Sequence, residues 1–114
     1  MYAVAIIQVN GTAGASDITY SNIDVEGYWP RHGKRGQWLD ATLTSPGSIT
    51  NVVIANIRTR VVDTTASSLK GCNAAARFYG IHFNHDYYNG MHGNTLKALN
   101  VTDTNTFITN LTFK

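Results

Sequence analysis

The sequence has little cysteine, little proline and few charged side chains. Cys72 is the single cysteine among 114 residues, and there are two prolines. One cysteine excludes an intrachain disulfide, and beside Gly71 and Asn73 we expect a small buried residue, not a catalytic thiol. Charged residues make up 14% of the chain and the formal net charge is +2, which is too mild to argue for a nucleic-acid partner. Many surface positions must therefore be uncharged or face another subunit.

Long apolar runs and helical periodicity are also scarce. The apolar start, residues 4–9, contains Gln8 and is too short to cross a bilayer. No basic leader precedes it, so we expect neither a signal peptide nor membrane insertion. The best helix candidate is the stretch 65–77, which Gly71 interrupts, and this predicts at most one short helix.

What remains is a pattern of strands and turns, rich in Val, Ile, Thr, Tyr and Phe and divided by Gly, Asn, Asp and Pro. Four segments can be aligned on one asparagine each: Asn22, Asn56, Asn84 and Asn110. The spacings of 34, 28 and 26 residues match one repeat of a stacked architecture. Further strands are expected at 4–9, 38–44, 74–79 and 96–102. The pattern predicts a single all-β domain over residues 1–114, folded as a parallel β-helix (solenoid) of about four coils.

The aligned asparagines have a physical role in this prediction. Asn tolerates left-handed backbone angles, so it can form a sharp bend, and stacked Asn side chains can hydrogen-bond along a column. The residues one and three after each Asn should then point inward. These inward residues are Ile23, Val25, Ile57, Thr59, His85, Tyr87, Leu111 and Phe113.

The residues two and four after each Asn should point outward, and their charges alternate between coils. Asp24 and Glu26 would face Arg58 and Arg60, and Arg58 would face Asp86. Opposite charges across neighbouring strands support this register. Arg58 would also keep Asp86 ionised, which disfavours Asp86 as a general acid.

These segments resemble coils of right-handed parallel β-helix (pectin-lyase-like) proteins, which include polysaccharide lyases, glycoside hydrolases and bacteriophage tailspikes. The resemblance is carried by DITYSNIDVEG, SITNVVIANIRTRV and FITNLTFK. Small size and low charge make the chain most similar to part of a phage tailspike or tail fibre. That resemblance implies a homotrimer in the virion tail that attaches to bacterial surface polysaccharide; a secreted or bacterial cell-surface location is the alternative.

No catalytic motif of these families can be matched residue by residue, so a structural or receptor-binding role is favoured over an enzyme. The alternative is part of a polysaccharide lyase or glycoside hydrolase with a groove along the outer strand face. No cofactor is expected. The strand edges at both ends would need covering by further coils or by other chains.

The most distinctive candidate binding segment is the loop GYWPRHGKRGQW. Aromatic faces stack on sugar rings and basic groups pair with carboxylates of acidic glycans. The loop's candidate binding residues are Tyr28, Trp29, Arg31, His32, Lys34 and Arg35. Packing of Trp29 and Trp38 as a lateral plug is the alternative, and it is the favoured one.

A second segment, FYGIHFNHDYYNGMHG, adds Tyr88 as a candidate sugar contact. His82 and His85 are three residues apart, which would place them on opposite faces of a strand. We therefore predict no metal site.

Overall fold

The computed structural model describes residues 2–8, 14–26, 37–43, 47–60 and 66–114. These residues contain ten strands and one short 3-10 helix, Lys97–Leu99. The strands are β1 (Tyr2–Gln8), β2 (Ala15–Glu26), β3 (Gln37–Leu43), β4 (Ile49–Arg60), β5 (Ser67–Lys70), β6 (Phe78–Asn84), β7 (Tyr87–Tyr88), β8 (Met91–His92), β9 (Val101–Thr104) and β10 (Ile108–Phe113). No helix within the described ranges is long and apolar enough to cross a membrane.

The strands form two sheets that enclose one core. One sheet has the order β1-β3-β5-β9, and the other runs β10-β6-β4-β7-β8, with β2 pairing β4. The pairs are parallel except for β7 with β8, which is antiparallel. Large buried side chains from both sheets, including Trp38, Leu39, Ile54 and Phe83, fill the space between them.

Alternation of side chains along the strands builds the core in columns. Val52 lies opposite Ile18 on one neighbour and Ile81 on the other. Phe83 lies opposite Phe113, and the two rings stack with their centroids 5.4 Å apart. Because these positions are two apart along each strand, they share the inner face. The prediction that Leu111 and Phe113 point inward is confirmed, since both pack against the core.

Two columns of residues with left-handed backbone angles bend the second sheet. Asp17, Asn51 and Asn110 have φ near +58°, at 58°, 58° and 59°, and Gly80 shares their level with φ 78°. The other column contains Asn22, Asn56 and His85, with φ of 57°, 54° and 56°. Asn, Asp and Gly adopt this region most easily, so the chain can turn sharply without leaving the ladder.

The predicted β-helix of about four coils is wrong. The described strands form a curled half-barrel of mixed sheet, with parallel and antiparallel strands. The antiparallel β7–β8 hairpin occupies the level where another parallel coil was expected. Asn110 also lies opposite Gly80 and not opposite Asn84, so the four asparagines do not form one column.

The segment 65–77 was also misassigned. In its described part, residues 66–77, the candidate helix is replaced by β5 and a turn, in which Ala76 N donates to Asn73 O at 3.2 Å. The strand predicted at 74–79 begins only at Phe78, as β6. The Cβ of a residue at Gly71 would collide with the Phe107 carbonyl oxygen, so close approach of the two chain segments explains this glycine. Cys72 is half-buried and packs against the core.

Candidate functional site

The chain between β6 and β7 pairs with β4 one residue away from the register that the asparagine alignment predicted. Ala55 lies opposite Asn84 and Arg58 opposite Tyr87, so His85 stands at the level of Asn56. A one-residue slip in a strand exchanges its two faces. Accordingly His85 is exposed and Tyr87 is 38% exposed, although both were predicted to point inward.

The same slip turns Asp86 into the core. Its side chain is 1% exposed, and it stands at the level of Ile57 in an otherwise apolar column. Its Oδ1 accepts a hydrogen bond from the Ile57 amide at 2.9 Å, whereas its buried Oδ2 has no hydrogen-bond partner. The prediction of Asp86 as an outward salt-ladder member is therefore wrong.

Burial raises the pKa of the Asp86 carboxyl to about 7. Main-chain hydrogen bonds from Ile57 and Asn84 and the charge of His92 act in the opposite direction, but they are smaller effects. A charged group removed from water without a full set of partners is costly, so the neutral form is favoured. The expectation that Arg58 would keep this carboxyl ionised is thus reversed.

A tight hairpin follows Asp86. Asn89 and Gly90 connect β7 to β8 with positive φ of 50° and 81°, which matches the Asn-Gly turn typical of two-residue hairpins. Asn89 N donates to Thr59 O at 2.7 Å, and Gly93 N donates to Asp86 O at 2.7 Å. The hairpin is therefore attached to β4 at its tip and to Asp86 at its base.

Between β4 and this hairpin lies a groove of about 300 Å³. Its lining consists of Arg58, Thr59, Arg60, Tyr87 and Gly90. Both arginine side chains are exposed, and the Tyr87 ring lies 5.4 Å from the His92 ring at a tilt of 40°. The groove thus combines two guanidinium groups with an aromatic ring. No carboxylate lines it among the described residues, and the exposed Asp24 lies opposite Arg58 on the other side, in β2.

The predicted opposition of charges on β2 and β4 is confirmed at the level of register. Asp24 lies opposite Arg58 and Glu26 opposite Arg60. Among the described side chains, however, no ion pair within 4.0 Å joins Asp24 to Arg58. An ion pair does form in the other sheet, where Lys70 Nζ is 2.9 Å from Asp103 Oδ2, and this partner holds the pKa of Asp103 below its usual value.

The predicted binding residues divide between described and undescribed parts of the chain. Tyr28, Trp29, Arg31, His32, Lys34 and Arg35 lie outside the described residues. Tyr88 is half-buried, and its hydroxyl accepts a hydrogen bond from Asn100 Nδ2 at 3.3 Å. Tyr88 packs against the core, whereas its neighbour Tyr87 lines the groove.

Of the two tryptophans predicted to pack as a lateral plug, only Trp38 lies within the described residues. This residue is 1% exposed, and its Nε1 donates to Leu99 O at 2.7 Å.

His82 and His92 contact Thr112 Oγ1 and Lys114 O, respectively, at 2.6 and 2.8 Å. Within the described ranges no group of three or more His, Cys, Asp or Glu side chains could hold a metal ion.

The groove was missed because the asparagine alignment placed Tyr87 in the core. The Asn89-Gly90 pair between Tyr-rich and His-containing segments was the available signal for a hairpin. That pair predicts a turn between β7 and β8, but the pairing of Tyr87 with Arg58 follows only from the structure.

Comparison of the chain with protein-family models, with curated proteins and with solved structures gave no match.

Proposed function

We propose that this protein is a non-catalytic binding domain for acidic polysaccharide, and that the groove between β4 and the β7–β8 hairpin is its binding site. The observation that carries the proposal is the placement of Arg58 and Arg60 beside the exposed ring of Tyr87. Arginine pairs with carboxylates through two parallel hydrogen bonds, and an aromatic face packs on a sugar ring.

The geometry suits an extended anionic chain. Arg58 and Arg60 are two residues apart on one strand, so their side chains leave the same face about 7 Å apart. Tyr87 lies opposite Arg58 on the neighbouring strand. A polymer with repeated carboxylates could contact both guanidinium groups while one sugar ring rests on Tyr87.

The chemistry of the groove favours binding over hydrolysis or elimination. Glycoside hydrolysis needs two carboxyl groups flanking the bond to be cut. The described lining offers none, and Asp86 is directed into the core. The lyase or hydrolase alternative therefore has less support than recognition alone.

Attachment to bacterial surface polysaccharide, as part of a homotrimeric phage tail protein, remains a prediction of the sequence resemblance. The groove adds one chemical condition to it, because the recognised polysaccharide should be acidic. A secreted or cell-surface protein with the same groove would recognise the same chemistry.

Binding of oligogalacturonate, a uronic-acid oligomer, and of a panel of acidic and neutral polysaccharides tests the proposal. Arg58→Ala should weaken binding of acidic glycans by about 10-fold or more, since a charge-assisted hydrogen bond is worth about 1.5–3 kcal/mol. Arg58→Lys should restore part of it, because lysine keeps the charge and loses the paired geometry. Tyr87→Ala should also weaken binding.

Lys70→Ala is the matched control. It removes one positive charge from the other sheet, where a partly exposed ion pair contributes little to stability. Its binding should equal that of the wild type. Equal retention of neutral glycans, or unchanged binding by Arg58→Ala, would overturn the proposal, as would no binding across the whole panel.

A further inference from the structure

We propose that Asp86 is a pH-dependent lock that holds the β7–β8 hairpin against β4 when its carboxyl is neutral and loosens the hairpin when it is ionised. The lock is a regulatory device for the proposed groove, and only its effect on ligand binding rests on the proposed function. The movement of the hairpin itself can be measured without any ligand.

The position of Asp86 gives it this role. It lies in the two-residue connection between β6 and β7, and its side chain caps the Ile57 amide of β4 through Oδ1. Its main-chain oxygen accepts from Gly93 N at the far end of the hairpin. One residue therefore fixes both the start and the return of the hairpin, directly before the groove residue Tyr87.

The second carboxyl oxygen of Asp86 makes the hairpin sensitive to pH. Oδ2 is buried without a hydrogen-bond partner, inside a column that contains Ile57. A neutral carboxyl tolerates such a site far better than a carboxylate, which would gain hydration by leaving it. Because burial raises the pKa of Asp86 to about 7, this change falls in the neutral pH range.

Several other ionisable side chains lie on the elements around Asp86. They are His82 and His85 nearby in the chain, Arg58 on β4, His92 on β8, Lys97 in the 3-10 helix and Lys114 after β10. Of these, the charge of His92 acts on Asp86 and favours its ionised form. Arg58 leaves the exposed face of β4, whereas Asp86 stands at the level of the buried Ile57.

Ionisation of Asp86 should lower the affinity of the groove for acidic ligands in two ways. An outward movement of Asp86 would displace Tyr87 from its place opposite Arg58. A negative charge close to the groove would also reduce its attraction for anions. Acidic ligands should therefore bind more tightly below neutral pH than above it.

Hydrogen exchange of the whole chain at about pH 5.5 and about pH 8, corrected for intrinsic exchange, tests the lock. In the wild type, the amides of Asn89 and Gly93 should lose protection by about 10-fold or more on raising the pH. The amides of Ile49 and Phe78, which bond across the sheet away from the hairpin, are internal references. Asp86→Asn keeps an oxygen acceptor for Ile57 and cannot ionise, so its hairpin protection should not change with pH.

His92→Gln removes the neighbouring titratable group and should keep the response. The proposal is overturned if hairpin protection in the wild type is independent of pH, if it falls equally in Asp86→Asn, or if it disappears in His92→Gln. Should Asp86→Asn fail to fold, NMR titration of the wild-type Asp86 carboxyl carbon replaces it. The hairpin amides must then change with the same midpoint as that carbon, and a different midpoint overturns the lock.

The outcomes for lock and function can be distinguished. A pH-dependent hairpin in a protein that binds no acidic glycan overturns the proposed function alone. Arg58-dependent glycan binding with a hairpin indifferent to pH overturns the lock alone.

Discussion

The side-chain amide of Asn51 donates a hydrogen bond to Asp17 Oδ1 at 2.7 Å, and both residues have a φ of 58°. The next column repeats the arrangement, with Asn56 Nδ2 donating to Asn22 Oδ1 at 3.2 Å. Each bend in β4 is thus supported twice, by a residue type that accepts left-handed angles and by a bond to the equivalent bend in β2. The predicted stacking of asparagines is confirmed for Asn22 and Asn56.

Asn51→Ala should destabilise the protein by about 1–2 kcal/mol, because alanine in the left-handed region carries a steric cost that asparagine largely avoids. Asn51→Gly should cost less, since it loses the side-chain bond to Asp17 but suffers no Cβ clash. Urea unfolding of the three proteins gives the comparison. An alanine variant as stable as the glycine variant would contradict the backbone explanation.

Asp86 should make the protein less stable as the pH rises. Its folded-state pKa of about 7 lies above the ordinary 3.8, so the folded state binds more protons than the unfolded state between these values. The contribution of Asp86 to the free energy of unfolding is therefore largest below about pH 4. It falls as the pH rises and is absent above about pH 7. Between about pH 5 and pH 8 the expected loss is about 1–3 kcal/mol.

Asp86→Asn should remove that pH dependence and be more stable than the wild type at about pH 8, because the acceptor for Ile57 is retained without a buried charge. Asp86→Ala should be less stable than Asp86→Asn at every pH, since the buried Ile57 amide then lacks its partner, at about 1–3 kcal/mol. Urea unfolding as a function of pH measures both effects. Parallel stability curves for wild type and Asp86→Asn would exclude Asp86 as their cause.

Trp38→Phe should destabilise the protein by about 1–3 kcal/mol, because it leaves the Leu99 carbonyl oxygen without the Nε1 donor and removes part of a buried ring. The 3-10 helix Lys97–Leu99 should lose hydrogen-exchange protection more than β6 does. Tyr79→Phe is the control, since Tyr79 is 39% exposed, and its change should be small. Equal effects of the two substitutions would argue against a role for the Trp38–Leu99 bond.

A homotrimer remains the predicted assembly. Light scattering of the purified chain should then give a mass three times that of the 12.5 kDa monomer. The number three comes from the resemblance to phage tailspikes, whereas low overall charge and strand edges that could pair with other chains favour association without fixing its stoichiometry. A monomeric mass across a range of concentrations would contradict it.

The register of β2 against β4 could be predicted because two signals agreed there. The 34-residue spacing of Asn22 and Asn56 coincided with opposite charges at Asp24 and Arg58, and the strands pair at that offset. Further along the chain the asparagine signal was misleading. His85, not Asn84, has the left-handed angle, and histidine is a less obvious choice for that position.

That single misplaced residue explains most of the errors at the site. Moving the bend by one position exchanged the predicted surroundings of His85, Asp86 and Tyr87. Asp86 was also expected at the surface because buried acidic residues are rare, and the local sequence does not show that this one is buried. The hydrogen bond from Ile57, 29 positions away, can be found only from the fold.

The left-handed columns have a consequence for how this protein tolerates substitution. Their members Asp17, Asn22, Asn51, Asn56, His85 and Asn110 are all exposed. Exposed positions normally accept most residues, yet here β-branched side chains would meet a backbone that excludes them. A map of mutational sensitivity should therefore show two narrow surface stripes as intolerant as the core, set by the shape of the main chain and not by contacts.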